Sequence, residues 1–267
     1  MALPAPSFGS TILITGASSG IGADLARQLA ERGYNVTLTA RRRERLEELA
    51  DELRDAHDIV ADVETCDLGS PAARGRLAKK LQEGEREVVG LCNNAGFGNL
   101  GNFLDHDLEE ETNVIKVNID ALHELTGAFL PRMVDQGAGA VLNVASTAAF
   151  QPLPGFATYA ASKAFVHSFS EALHSELSGT GVSVTSLCPG FTKTEFEQRA
   201  GAEDAAAKLP GFTWMESDDV ARQAVEGMIA GKRTVVPGML NKAVSTSGRY
   251  VPRTVLLPLV KSVAKHG

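Results

Sequence analysis

The chain has 267 residues, 43% of them hydrophobic, which suffices for one large α/β domain or two smaller ones. Its formal net charge is −7 at pH 7, and its pI is near 5.4. This balance excludes a global basic field that would attract nucleic acid, so we expect no nucleic-acid partner.

Short β-branched runs alternate with helical patterns along the chain. We predict strands over residues 11–15, 35–39, 59–63, 88–92, 140–145, 182–187 and 234–236. We predict helices from a glycine-rich segment to about residue 33, and over 44–56, 70–82, 112–135, 158–178 and 217–230. This alternation implies βαβ units and an α/β fold: a doubly wound parallel sheet of about seven strands with helices on both faces.

A glycine-rich segment, Thr-Gly-Ala-Ser-Ser-Gly-Ile-Gly at 15–22, lies between the first predicted strand and the first predicted helix. Glycines there let the backbone approach a pyrophosphate, and the helix N-terminus supplies N–H groups and partial positive charge. Such spacing also occurs in ordinary turns, but its position at the start of a βαβ unit indicates a dinucleotide site in a Rossmann fold. The candidate contacts are Gly16, Ser18, Ser19, Gly20, Ile21 and Gly22.

The second predicted strand is followed by Arg41, Arg42 and Arg43, with no acid before Glu44. NAD sites place an acid there for the ribose hydroxyls, whereas a guanidinium suits the 2′-phosphate of NADP. A solvated helix start would also be arginine-rich, but three cations oppose the dipole at a helix N-terminus. We therefore expect NADP(H), with Arg41 and Arg42 as contacts; NAD(H) stays possible.

Tyr159 and Lys163 stand four residues apart in a predicted helix, so their side chains share a face. A free tyrosine has a pKa of about 10 and is a poor acid or base at neutral pH. A nearby ammonium favours the phenolate, so the pair could exchange a proton with an alcohol or carbonyl oxygen. The alternative is a tyrosine that simply packs on a lysine stem.

With these motifs the chain resembles the short-chain dehydrogenase/reductase family over roughly residues 8 to 237. The likeness rests on motifs in the family's order: the cradle at 15–22, Asp67-Leu68, Asn93-Asn94-Ala95-Gly96, Asn118, Ser146, Tyr159, Lys163 and Pro189-Gly190-Phe191-Thr192-Lys193-Thr194. The resemblance implies an oxidoreductase that interconverts a ketone and a secondary alcohol, as a homodimer or homotetramer.

The resemblance also implies roles for individual residues. Ser146 is expected to donate to the substrate oxygen, and Tyr159 to supply or accept the proton. Lys163 is expected to bind the nicotinamide ribose and to lower the pKa of Tyr159, while Asn118 holds a water that links Lys163 to solvent. Further expected cofactor contacts are Asp67, Leu68, Asn94, Ala95, Gly96, Tyr159, Lys163, Pro189, Gly190, Thr192 and Thr194. Asn94 has a structural alternative, and turn geometry would explain Pro189 and Gly190 equally well.

The substrate side is expected to be built by residues 97–100, 150–156 and a loop at 191–215. These segments carry Phe150, Leu153, Phe156, Phe191, Phe196, Phe212 and Trp214. This apolar wall favours a hydrophobic ketone or alcohol, unless the aromatics only pack the loop. The loop also carries charged residues and is a candidate mobile lid.

Two other functions are compatible with the fold. A non-catalytic NADP-binding regulator or scaffold would keep the cradle, but it has no evident need for Ser146, Tyr159, Lys163 and Asn118 together. An epimerase or dehydratase is disfavoured by the short chain and by the pattern of the cradle.

We expect one domain over residues 1–237 and a tail at 238–267 that is not an independent domain. An apolar run at 251–260 could pack on a partner subunit or, less favourably, lie on a membrane surface. Three isolated cysteines in or beside apolar runs and the lack of signal-peptide features predict a cytoplasmic protein. The histidines form no ligand cluster, so we expect no metal site.

Overall fold

A parallel sheet with helices on both faces forms the framework of the computed structural model, which describes residues 3–203, 207, 209–250 and 254. The strands are β1 (Ser10–Thr15), β2 (Val36–Ala40), β3 (Ala61–Thr65), β4 (Glu87–Asn93), β5 (Gly139–Val144), β6 (Val182–Leu187), β7 (Thr192–Lys193), β8 (Met215–Glu216) and β9 (Thr234–Val235). The main sheet has seven strands in the order β3-β2-β1-β4-β5-β6-β9, whereas β7 and β8 pair separately. The predicted fold class is confirmed.

The helices are α1 (Gly20–Ala30), α2 (Arg43–Ala56), α3 (Pro71–Gln82), α4 (Leu108–Ile115), α5 (Leu122–Gln136), α6 (Ala157–Glu176), α7 (Phe196–Arg199), α8 (Ser217–Ile229) and α9 (Met239–Tyr250). A π-helical turn, Lys116–Ala121, joins α4 to α5. Within the described residues, no helix is long and apolar enough to cross a membrane.

Several element boundaries differ from the sequence prediction by one or more residues, and two of these differences have a direct physical reason. The third strand begins at Ala61 and runs to Thr65, two residues later than predicted, because Val36 to Ala40 pair with this segment in register. This strand is at the edge of the sheet, where polar residues are tolerated, and its sequence therefore carries less apolar signal. The long helix begins at Leu108 rather than 112, since the Asp107 carboxylate accepts a hydrogen bond from the Glu109 N–H at 2.9 Å.

The central strands are buried on both faces, as expected for a parallel sheet between helical layers. Alternate residues of β1 point to opposite sides: Ile12 and Ile14 pack with α1 and α8, and Leu13 packs with α5. Strands β2 and β3 lie on one side of β1, whereas β4 and the strands that follow it lie on the other side. The carboxyl ends of these two strands consequently border a crevice, which is where ligands bind in doubly wound folds.

The described part of the tail is helical. Helix α9 contacts the short 3₁₀ turn Thr147–Phe150, which follows β5. The apolar run predicted at 251–260 lies outside the described residues, apart from Thr254.

Candidate active site and cofactor site

The glycine-rich cradle has the backbone geometry that a pyrophosphate requires. Gly16 has a φ of +67°, a region that favours glycine, and a Cβ placed on Gly22 would lie 2.3 Å from the Gly16 carbonyl oxygen. Among the described residues, no side chain caps the N-terminus of α1, and its first turn contains no acid. The N–H groups of this turn and the helix dipole therefore suit the phosphates of a dinucleotide.

Asn94 holds the two halves of the crevice together. Its Nδ2 donates to the carbonyl oxygens of Thr15 at 2.9 Å and Gly16 at 3.3 Å. The Thr15 hydroxyl in turn accepts from the N–H groups of Asn94 at 2.9 Å and Ala95 at 3.0 Å. The structure thus places Asn94 in a bridging role, the alternative left open above, and it adds Thr15, a strand-end residue that the motifs did not single out.

Arg74 positions the Asp67-Leu68 pair through the backbone of Leu68. Arg74 is 2% exposed, donates to the Leu68 carbonyl at 2.7 Å, and makes two 2.7 Å hydrogen bonds to the Glu124 carboxylate. The Asp67 carboxylate accepts from the Gly69 N–H at 3.0 Å. Sequence reasoning missed Arg74, because its partner lies 50 residues away in α5.

The predicted arginines differ in their surroundings. The Arg42 guanidinium donates to the hydroxyls of Ser18 at 3.0 Å and Ser19 at 2.8 Å, so it borders the cradle. It also forms a 2.8 Å ion pair with Glu195. Arg41 is exposed beside it. The cation predicted for the adenosine end of the site is therefore adjacent to the phosphate cradle.

Tyr159, Lys163 and Ser146 come together at the carboxyl edge of the sheet. Helix α6 places the Lys163 Nζ 5.7 Å from the centroid of the Tyr159 ring, as the four-residue spacing predicts. Lys163 is 4% exposed, and its Nζ donates to the Val144 carbonyl at 2.8 Å. Ser146, two residues further along, has a hydroxyl that interacts with Tyr159 and accepts from the Ala148 N–H at 3.1 Å.

Burial dominates the electrostatics of Tyr159 and Lys163. Burial raises the pKa of Tyr159 to about 12, the Glu197 carboxylate adds to this, and a hydrogen bond with Ser146 acts in the opposite direction. Burial also lowers the pKa of Lys163 to about 8. Loss of solvent thus determines the direction of the pKa at both groups, and the expected lowering of the tyrosine pKa by Lys163 stays a prediction.

Asn118 lies in the π-helical turn and holds the segment that faces Tyr159. Its Nδ2 donates to the Phe97 carbonyl and to the Ser162 hydroxyl, both at 2.9 Å, and its Oδ1 accepts from the Phe97 N–H at 3.1 Å. The Ser162 hydroxyl donates to the Tyr159 carbonyl at 2.7 Å. Asn118 is consequently a positioning residue for both sides of the site, and Ser162 is a link that the motifs did not reveal.

The Pro-Gly segment is a tightly bonded turn. The Pro189 carbonyl accepts from the Thr147 N–H at 2.9 Å, and the Thr192 hydroxyl donates to the Gly190 carbonyl at 3.0 Å. A Cβ on Gly190 would lie 2.2 Å from the Asn241 Oδ1, so α9 packs directly against this turn. The turn geometry left open as an alternative for Pro189 and Gly190 is therefore present.

Two further predicted contacts border the lysine and the cradle. A Cβ on Gly96 would lie 3.1 Å from both the Lys163 Nζ and the Asn118 Oδ1, so a side chain there would crowd both groups. Thr194 lies across the crevice from Gly20: a Cβ on Gly20 would lie 2.8 Å from the methyl carbon of Thr194. Both residues thus line the crevice.

A family model described as short chain dehydrogenase matches residues 10–205. The chain belongs to the short-chain dehydrogenase family. Sulfoacetaldehyde reductase 2 of Chromohalobacter salexigens is 41% identical to it over 215 residues, which are 79% of this chain and 84% of that protein. The resemblance drawn from the motifs is confirmed.

Solved structures of short-chain dehydrogenases contain either nicotinamide cofactor. An enzyme from Sphingobium yanoikuyae in complex with NADPH matches with a TM-score of 0.81 and 35% identity, over 93% of this chain and 95% of that one. A dehydrogenase/reductase from Burkholderia phymatum in complex with NAD matches with a TM-score of 0.79 and 25% identity, over 89% and 92%. These two neighbours thus bind nicotinamide dinucleotides with and without a 2′-phosphate.

The aromatic residues of this dehydrogenase divide into two groups. The rings of Phe156 and Phe196 lie 4.7 and 5.3 Å from the ring of Tyr159. The others pack elsewhere: Phe191 on Trp214 at 5.6 Å, and Phe150 on His167 at 4.8 Å, while Phe212 is 78% exposed. Only part of the predicted apolar wall thus faces the tyrosine.

Proposed function

We propose that the chain is an NADP(H)-dependent oxidoreductase that interconverts a ketone and a secondary alcohol on a hydrophobic small molecule. The observation that carries this proposal is the convergence of Tyr159, Ser146 and Lys163 at the carboxyl edge of the sheet, beside the cradle between β1 and α1. A regulator without turnover would not need this buried, electrostatically costly pair.

The cofactor would be held along the crevice from the cradle to the Pro-Gly turn. The cradle and α1 would bind the pyrophosphate, Arg41 and Arg42 the 2′-phosphate, and Asp67-Leu68 the adenine. The nicotinamide half would contact Ala95, Gly96, Tyr159, Lys163, Pro189, Gly190, Thr192 and Thr194, with Asn94 supporting the cradle. When bound, the nicotinamide supplies or accepts a hydride.

The chain itself orients the substrate oxygen and moves the proton. The Ser146 hydroxyl donates to the substrate carbonyl and holds it beside the Tyr159 hydroxyl, which transfers its proton to the developing alkoxide. With its pKa raised to about 12, Tyr159 keeps that proton at neutral pH until the more basic alkoxide forms. Lys163, with a pKa of about 8, can lose or regain a proton near neutrality and is suited to resupply the tyrosine through a water near Asn118.

Phe156 and Phe196 are the basis for proposing a hydrophobic substrate, since both rings lie beside the ring of Tyr159. A second candidate is a short polar aldehyde, because a relative with 41% identity is a sulfoacetaldehyde reductase. A panel of aliphatic, aromatic and acyl ketones, together with sulfoacetaldehyde, separates the two when it is run with NADPH.

The deciding experiment is Tyr159→Phe, which removes one hydroxyl. We expect turnover of NADPH with an identified substrate to fall by about a hundredfold or more, while NADPH binding measured by fluorescence is retained. Tyr34→Phe is the matched control, because the Tyr34 hydroxyl donates to the Pro4 carbonyl far from the site. Wild-type turnover in the Tyr159 variant would refute the mechanism; a wild type that binds NADPH but turns over no substrate would favour the regulator.

A further inference from the structure

One carboxylate, that of Glu195, holds three guanidinium groups at the adenosine end of the crevice. Its Oε2 accepts from Arg42 Nη1 at 2.8 Å and from Arg199 Nη2 at 2.9 Å, and its Oε1 accepts from Arg45. Arg42 is the same residue that donates to Ser18 and Ser19 of the cradle. The carboxylate therefore occupies the surroundings of the arginine that the proposed function assigns to the 2′-phosphate.

Positive charge is in excess around Glu195. Three arginines, Arg42, Arg45 and Arg199, pair with this carboxylate, and Arg41 is near enough to Arg199 to lower its pKa. Burial and the neighbouring Arg42 lower the pKa of Arg199, as expected where cations are crowded. A phosphate brings close to two negative charges and three acceptor oxygens, and arginine binds it with paired hydrogen bonds. It would satisfy this cluster better than one carboxylate does.

The same segment covers the reactive tyrosine. Glu195 precedes α7, and the next residue, Phe196, lies 5.3 Å from the Tyr159 ring. The other end of this short helix is tied down by a 2.9 Å hydrogen bond from the Leu100 N–H to the Ala200 carbonyl. The ion pairs of Glu195 thus help to hold Phe196 over Tyr159.

We propose that Glu195 is a specificity-determining residue that stands in for the 2′-phosphate of NADP(H), so that the phosphate displaces it from Arg42 and Arg45 and loosens the 194–203 segment over Tyr159. NAD(H) carries a hydroxyl at that position, does not compete for the arginines, and leaves the segment in place. This inference rests on the proposed function, because it requires a dinucleotide in the cradle.

The test compares Glu195→Gln with wild type in direct binding of NADPH and NADH, followed by cofactor fluorescence. The variant keeps the shape of the side chain and loses its charge, so the arginines become available to the phosphate. We expect the Kd for NADPH to fall by about fivefold to tenfold, because the phosphate no longer has to displace the partly exposed ion pairs of Glu195. The Kd for NADH should change less than about twofold.

Glu47→Gln is the matched control, because Glu47 lies in the same cationic region but pairs with Arg43 at 2.7 Å. An equal increase in NADPH affinity in both variants would indicate a general charge effect and would overturn the proposal. Hydrogen exchange of residues 194–203 supplies the second readout. NADPH, and not NADH, should accelerate exchange in wild type, whereas in Glu195→Gln exchange should already be fast.

The two proposals fail in different ways. A wild type that binds neither cofactor would refute the proposed function itself. A wild type that binds NADPH, with an unchanged or weaker NADPH affinity in Glu195→Gln, would refute only the role of Glu195. Equal effects of both cofactors on exchange of the 194–203 segment would refute the coupling to Tyr159.

Discussion

Replacing Lys163 by methionine should stabilise the fold at pH 7, because it removes a charge that burial disfavours. The side chain is 4% exposed, and burial lowers its pKa to about 8 from the ordinary lysine value of 10.5. Each tenfold change in proton affinity corresponds to about 1.4 kcal/mol. The charged lysine is therefore about 3 kcal/mol less favourable in the fold than in the unfolded chain, and methionine fills a similar space without charge.

Part of this gain is offset by a lost hydrogen bond. The Lys163 Nζ donates to the Val144 carbonyl at 2.8 Å, and leaving that carbonyl unpaired costs about 1–2 kcal/mol. The expected net effect of Lys163→Met is thus a stabilisation of about 1–2 kcal/mol at pH 7, together with loss of activity. A site residue that destabilises the protein is the trade-off expected where function requires a strained or buried charge.

The pH dependence separates this explanation from a simple packing effect. Because the pKa of Lys163 is lower in the fold, the unfolded chain binds more protons between about pH 8 and 10.5. The penalty is complete below this window and disappears as the pH rises through it. The advantage of Lys163→Met should consequently shrink from pH 7 towards about pH 10; Tyr159 is present in both proteins and cancels in the comparison.

Urea unfolding of wild type, Lys163→Met and the control Lys79→Met at both pH values measures these differences. Lys79 is exposed on α3, so its replacement should show no comparable change with pH. A Lys163→Met protein that is less stable than wild type at pH 7 would contradict the reasoning. So would an advantage that stays constant as the pH is raised.

Two further substitutions test the supports of the site. Arg74→Met should lower the free energy of unfolding by about 2 kcal/mol, less than for a fully buried pair because the Glu124 side chain is 47% exposed. Glu124→Ala, which strands the buried guanidinium, should cost at least as much in urea unfolding; a neutral result for either would contradict this. Gly98→Ala should reduce turnover more than about tenfold, because its Cβ would lie 2.7 Å from the Tyr159 ring. Gly75→Ala, with open space around it, is the control, and equal losses in both would exclude the steric explanation.

The order of the elements could be predicted from local patterns because each depends on a few neighbouring residues. Apolar runs and glycines mark the strands and the cradle, and the spacing of Tyr159 and Lys163 places them on one helical face. The same dependence on local composition puts the predicted third strand two residues too early. Its last residues are polar, and pairing with β2 rather than composition determines where it ends.

The sequence predicts which residues belong to the site, but not the contacts that they make with one another. The hydrogen bonds of Asn118 to Phe97 and Ser162 join residues that are 21 and 44 positions away, and they arise from packing of the π-helical turn against α6 and the segment after β4. Neither contact has a local pattern. The direction of the Tyr159 pKa was likewise inaccessible, because it depends on how many groups exclude water from the ring.

The sequence by itself thus determined the fold class, the dinucleotide cradle and the candidates for proton transfer, since spacing along a strand or helix is a local property. Only the tertiary structure decided what surrounds them. Arg42 pairs with Glu195, which is 153 positions further along the chain. The next residue, Phe196, packs against Tyr159. Burial and charge pairing are sums over residues that the chain folds together, so the electrostatics of the tyrosine, the lysine and the arginines belong to the fold rather than to the motifs.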